Sequence, residues 1–167
     1  MSKKHSLTEI DFNFGIGKII PATQEAHHDG GFDGQVRKTE KEALTNFKNT
    51  LGSELDSKLI SNEQFPTDGE VFIFIVQYFA AEKEYARRDV DNMAKTVLDV
   101  LKVRFYPDDS QVKTLLVGKK LESRVPQDFA YVAIKRLKSS QDVDALKISG
   151  LERSVTLFQE LKSKKLI

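Results

Sequence analysis

The stretch from Arg87 to Val112, RRDVDNMAKTVLDVLKVRFYPDDSQV, gathers the side chains that can do chemistry. Asp89 and Asp91 stand two residues apart, and Asp108 and Asp109 follow as an adjacent pair. Carboxylate oxygens suit hard divalent cations such as Mg²⁺, which keep several waters of their own. An ion held in this way can activate water and stabilise charge on a phosphodiester in transit. Lys95 lies four residues beyond Asp91, on the same face of a helix. A compact ammonium at that place can hold a phosphate or a water. The same residues also have an ordinary reading. Acidic side chains at a helix start cap free N–H groups and suit the helix dipole. An Asp–Lys pair at this spacing is an everyday surface feature, and Asp-Asp-Ser is a common turn composition. Spacing alone leaves both readings open.

The elements around this stretch decide where its side chains go. Thr8 to Lys18 alternates, with Ile10, Phe12, Phe14 and Ile16 on one face, which predicts a half-buried strand. A polar loop with His27, His28, Asp29, Gly30, Gly31 and Gly34 follows. Thr39 and Glu42 form a capping-box pair at a helix start, and Leu44, Phe47, Leu51, Leu55 and Leu59 recur at helical spacing. Val71 to Phe79 is a central strand by its apolar, β-branched content. Asp91 to Val103 reads as a second helix with Met93, Ala94, Val97, Val100 and Leu101 toward the core. Gln111 to Lys119 and Asp128 to Leu137 are two further strands, joined by a hairpin loop over Gly118 to Gln127.

The order β-α-β-α-β-β predicts an α+β domain, a mixed sheet with two packed helices, over residues 1–138. Residues 139–167 form an extension in which Leu151, Val155, Phe158 and Leu161 give an amphipathic helix, packed on the domain or on a dimer. Asp89 and Asp91 fall just past the central strand. If the strand from Gln111 pairs beside the central one, Asp109 returns to the same region.

The 167 residues suit one domain with one core. Charged residues make up 31% and the net charge is +1, so no overall basic field advertises a nucleic-acid partner; distribution matters more than the sum. No apolar run is long enough for a membrane helix. There are no cysteines, which removes disulfides, zinc–thiolate sites and thiol nucleophiles. With no secretory segment after Lys3 and Lys4, the expected location is cytoplasmic.

The joined pattern resembles the RusA family of Holliday-junction resolvases. That pattern runs D-x-D-N-x-x-K, then a helix with an internal Asp, then D-D-x-Q-V. It is met here by Asp89, Asp91, Asn92 and Lys95, then Asp99, then Asp108, Asp109, Gln111 and Val112, with Arg88 before the first aspartate. The resemblance implies that Asp89, Asp91 and Asp109 bind the metal, Mg²⁺ with Mn²⁺ as a substitute. It implies Lys95 as a catalytic or phosphate-positioning lysine, and Arg88, Asn92 and Asp108 as supporting residues. It further implies a homodimer that nicks a four-way DNA junction at two symmetry-related places. The family commonly carries a Pro-rich, Asn-containing segment after its first strand; here Pro21 is followed by Ala22, Thr23 and Gln24.

Other residues carry weaker signals. Lys102, Lys113 and Lys119, with Lys83, Arg87, Arg104 and Lys120, surround the acidic stretch and can contact phosphates. Tyr85, Phe105 and Tyr106 can stack on bases or pack in the core, and the core is the better place for Phe105. His27, His28 and Asp29 are possible transition-metal ligands, although adjacent histidines in a polar loop are usually solvated. Two other functions stay open beside the nuclease: a non-catalytic DNA-binding or assembly module, and a metal-dependent phosphohydrolase acting on other nucleic acids or on nucleotides.

Overall fold

The computed structural model describes residues 10–23, 34–137 and Ser163, with no side-chain description for residues 34–40. The chain runs β1 (Phe12–Ile16), α1 (Gly34–Leu59), β2 (Val71–Phe79), α2 (Glu82–Arg87), α3 (Val90–Leu101), β3 (Val112–Leu121) and β4 (Phe129–Arg136). The strands form one mixed sheet in the order β1-β4-β2-β3. The single domain is therefore α+β, as its sequence implies.

β2 is central and reads as a nearly continuous apolar run because both its faces are apolar. It pairs antiparallel with β4 and parallel with β3. The expected hairpin between the last two strands does not form: β2 lies between them. β3 carries Lys113, Lys119 and Lys120 and takes the edge, where charged side chains guard exposed backbone groups. The connection from β3 to β4 instead passes the end of β2. The Glu122 N–H donates to the Phe79 carbonyl, and the Asp128 carboxylate accepts from the Ala80 N–H.

One sheet face is packed against α1 and α3. Phe47, Leu51 and Leu55 from α1 meet Met93, Ala94, Val97, Val100 and Leu101 from α3 over Val71, Ile73, Ile75 and Phe79 of β2. The spacing in α1 is the i, i+4, i+8 stripe of a helix with one buried side. The helix starts at Gly34, not at the Thr39–Glu42 pair, so Thr39 lies inside it. Residues 24–33, with His27, His28 and Asp29, fall outside the described residues, as does the extension apart from Ser163. Among the described residues no helix is long and apolar enough to cross a membrane.

Gln77 has the inward parity of β2 and is completely buried. Its Oε1 accepts from the Ile20 N–H at 2.9 Å, and its Nε2 donates to the Phe129 carbonyl at 3.0 Å. One residue on, the Pro21 carbonyl accepts from the buried Thr96 hydroxyl at 2.6 Å. Through these bonds Gln77 and Thr96 hold residues 18–21 between β2 and α3.

α3 ends with Lys102 as its cap and Val103 at φ 73°. This is the left-handed position that usually falls to glycine, since a Cβ there crowds the backbone. Val103 is also 73% exposed, so its side chain gains little packing in return. Val103→Gly is expected to raise stability by about 1 kcal/mol, read as a higher urea midpoint at constant slope.

Candidate active site

The predicted site residues fall into two groups, one at each end of α3. At its start, Asp89 occupies the N-cap position, and its carbonyl accepts the Met93 N–H. Its carboxylate makes no capping hydrogen bond, so the ordinary reading of this aspartate as a cap does not hold. Asp91 lies in the first turn and Lys95 one turn further. All three side chains are exposed, and among the described residues none of them forms an ion pair. They are polar groups that the fold does not consume.

Their neighbours support the backbone that carries them. Arg88 donates through Nε and Nη2 to the Glu84 carboxylate one turn back, at 3.3 and 3.1 Å. Lys119 reaches from β3 and donates to the carbonyls of Tyr85 and Arg88, both at 2.8 Å, with its ammonium 4.6 Å from the Tyr85 ring centre. Those carbonyls belong to the end of α2 and the approach to α3, where helical partners run out. Lys119, expected as a phosphate contact, is thus a strut that fixes Arg88 and so the entry of Asp89. Lys119→Met is expected to lower nuclease activity about tenfold. The salt slope of DNA binding should stay unchanged, whereas losing a phosphate-contacting lysine would reduce it by about 0.9.

At the far end of α3 the D-D-x-Q-V segment builds a short 3-10 turn, Asp109–Gln111. Asp108 caps it: its carboxylate accepts from the Ser110 N–H at 2.8 Å, and the Gln111 Oε1 accepts from the Asp108 N–H at 2.9 Å. Hydrogen bonds from the Ser110 backbone and hydroxyl hold the Asp108 carboxyl below the usual carboxylate range. Gln111 also donates to the carbonyls of Thr67 and Gly69, anchoring the turn beside the start of β2. Asp108 and Gln111 are used in building the turn, and Asp109 is presented outward. Its partner is Lys102, at 2.9 Å. The hydrogen bond and charge of Asp109 raise the Lys102 ammonium above its ordinary value, so the lysine stays cationic. Lys113 is paired with Glu70 at 3.6 Å. Phe105 and Tyr106 are both fully buried, and burial, reinforced by the Asp109 charge, pushes the Tyr106 hydroxyl up and keeps it neutral.

Asp99, between the two ends, is taken by α1: Lys48 donates to it at 2.7 Å. The charged stripe Asp91, Lys95, Asp99, Lys102 therefore does not act as one surface.

Asp109 does not return to Asp89 and Asp91 within one chain. β3 does pair beside β2, but parallel to it, with Val112 opposite Val71 and Leu121 opposite Phe79. Asp109, three residues before Val112, lies where β2 begins; Asp89 and Asp91 follow where β2 ends. α3 runs between the two groups, and its 12 residues span about 18 Å. Among the described residues no group of three or more His, Cys, Asp or Glu side chains is placed to hold a metal ion. A single chain thus does not assemble the three-aspartate metal site.

The fold defines a small α+β domain in which α3 carries exposed carboxylates, unpaired among the described residues, at its start and an outward aspartate lies beyond its end. The model of the endodeoxyribonuclease RusA family matches residues 20–134, and the chain belongs to that family. The match spans the helix with both acidic groups, together with β2, β3 and nearly all of β4. No curated protein sequence matches the chain significantly. As a RusA-family endodeoxyribonuclease, the protein belongs with nucleases that act on DNA junctions.

Proposed function

We propose that the protein is a Mg²⁺-dependent endonuclease that resolves four-way DNA junctions as a homodimer. In this reading each site joins Asp89, Asp91 and Lys95 of one subunit to Asp109 of the partner subunit. The observation that carries it is the placement of exposed carboxylates at the two ends of α3, with too few at either end for a site. A two-fold axis that sets two α3 helices side by side and antiparallel brings the start of each to the end of the other. Both sites then form at once, because an isologous interface makes every contact twice. Two sites related by two-fold symmetry suit paired cuts in opposing strands.

The Asp109 end has surface suited to a partner. Ile60 and Val103 are 84% and 73% exposed and line one groove with Leu59, Phe65 and Pro66. Adjacent exposed apolar side chains are a common mark of an interface. At the other end Lys95, exposed one turn after Asp91, supports the reading of a compact ammonium that holds the phosphate undergoing cleavage. Carboxylates on open surface rather than in a closed pocket fit a polymer substrate.

The separation of the carboxylates also suits a second reading, a junction-binding module without cleavage. Incubation with a synthetic four-way junction and Mg²⁺ or Mn²⁺ decides between the two. Nicked product supports the nuclease. Binding with no cleavage under either ion, across a range of junction sequences, supports the module.

A further inference from the structure

The described helices pack on one face of the sheet. The other face carries Phe72, Phe74, Val76 and Tyr78 from β2 and Phe129 and Tyr131 from β4. Tyr78 stacks on Phe129 with ring centres 4.6 Å apart and 12° between planes, and Phe74 lies 6.3 Å from Tyr131. A sheet face left to water normally shows polar side chains at every second position. Here every outward position of β2 is apolar or aromatic, which is the composition of a covered face.

The chain itself leads onto this face. Leu137, just past β4, is buried with Phe72 in a cluster that also draws in Phe74 and Leu116, and among the described residues no helix contributes to it. Residues 138–167 follow. In them Leu151, Val155, Phe158 and Leu161 repeat at i, i+4, i+7 and i+10, one stripe of a helix. Eleven residues of helix span about 16 Å, close to the width of three or four strands at roughly 4.8 Å each. The connector from Lys138 to Gly150 reaches roughly 40 Å when extended, so it can place the stripe anywhere on the face. Ser163 is helical and exposed. In a helix carrying that stripe, position 163 falls on the opposite side at 100° per residue, so an exposed Ser163 fits a stripe turned inward.

We propose that the segment Leu151–Leu161 docks as a helix across this second sheet face of its own chain, completing a third layer. The apolar stripe meets the aromatic side chains of β2 and β4, and the Lys-rich end stays in water. This docking is independent of the nuclease reading.

The absence of cysteine allows a clean test in the full chain. Val76→Cys places one thiol in the middle of the face, and its labelling by a maleimide is compared with and without Phe158→Glu. The docked segment is expected to slow labelling about tenfold or more, with the protection lost in Phe158→Glu. Equal rates in the two backgrounds would overturn the proposal. So would protection of Val76→Cys that appears only when single-stranded DNA is added, which would make the face a base-stacking platform. A short bismaleimide applied to the Val76→Cys, Val155→Cys double variant tells whose segment is docked. A link within one chain is the expected product; a link only between chains would assign the face to a second copy and overturn docking in cis.

Discussion

Asp91→Asn is expected to lower junction cleavage by on the order of a thousandfold, the scale on which losing a charged group at the reacting centre acts. Folding should barely change. Asp91 is exposed, and its structural part is limited to its place in the first turn of α3. Neutralising an acidic side chain there costs about 0.5 kcal/mol through the helix dipole. A large loss of activity beside a small loss of stability is the mark of a residue the fold does not need. Junction affinity measured without divalent ion should stay the same or rise slightly, since a negative charge facing phosphates has been removed. A full loss of binding would point instead to a damaged surface, and unchanged cleavage would remove Asp91 from the chemistry.

Gln77→Leu is expected to give the largest loss of stability among single polar replacements, about 3 kcal/mol. Leucine preserves the volume, yet leaves the Ile20 N–H and the Phe129 carbonyl buried without their partner. Each such orphaned group costs roughly 1 to 3 kcal/mol. Urea unfolding should show a lower midpoint with an unchanged slope. The effect should reach α3 as well, because the strand-following segment that Gln77 holds carries the Pro21 carbonyl, which accepts from Thr96. Thr96→Val keeps the shape and removes only that hydroxyl. It should cost less, about 1 kcal/mol, while loosening the same contact. A stability change below about 0.5 kcal/mol for Gln77→Leu would show that these bonds are readily replaced by water.

Much of this is written in the sequence. Val71 to Phe79 matches β2 residue for residue, and the apolar stripe from Met93 to Leu101 matches the buried side of α3. The strand at Phe12 to Ile16 follows its alternation, although Ile10 stays 42% exposed beyond the paired residues. Gln77 was equally visible: a polar residue on the inward parity of an apolar strand needs a partner, and that parity runs Val71, Ile73, Ile75, Gln77, Phe79. The last two strands misled because nearness in sequence predicts a hairpin, while burial decides the order. β4 buries Ala130, Val132 and Ile134 against β1 and β2, so it takes an inner place, and the Lys-bearing β3 takes the edge.

The candidate residues stand out in the sequence, but their separation along α3 does not. Asp89, Asp91 and Lys95 stand out as polar side chains free of structural duties. Asp108 and Gln111 prove to be the builders of the turn that presents Asp109. The signal against convergence was present too. A strand, a helix and a strand in succession make a parallel pair, since the crossover must return the chain to the end where it started. The residue that opens the second strand then lies opposite the end of the first. Local spacing carries no trace of this; it is a property of topology.

The claim that two chains share each site is tested most directly by subunit complementation. Asp91→Asn and Asp109→Asn chains are expected to be inactive alone in either arrangement, and the two are co-expressed to allow mixed dimers. In a mixed dimer with shared sites, one site loses both aspartates, and the other takes Asp91 from one chain and Asp109 from its partner. The account predicts that the mixture recovers nicking of a four-way junction to about a quarter of wild type, since half the dimers are mixed and each has one intact site of two. A mixture as inactive as its two parents, with mixed dimers demonstrated by tagged chains, would contradict it.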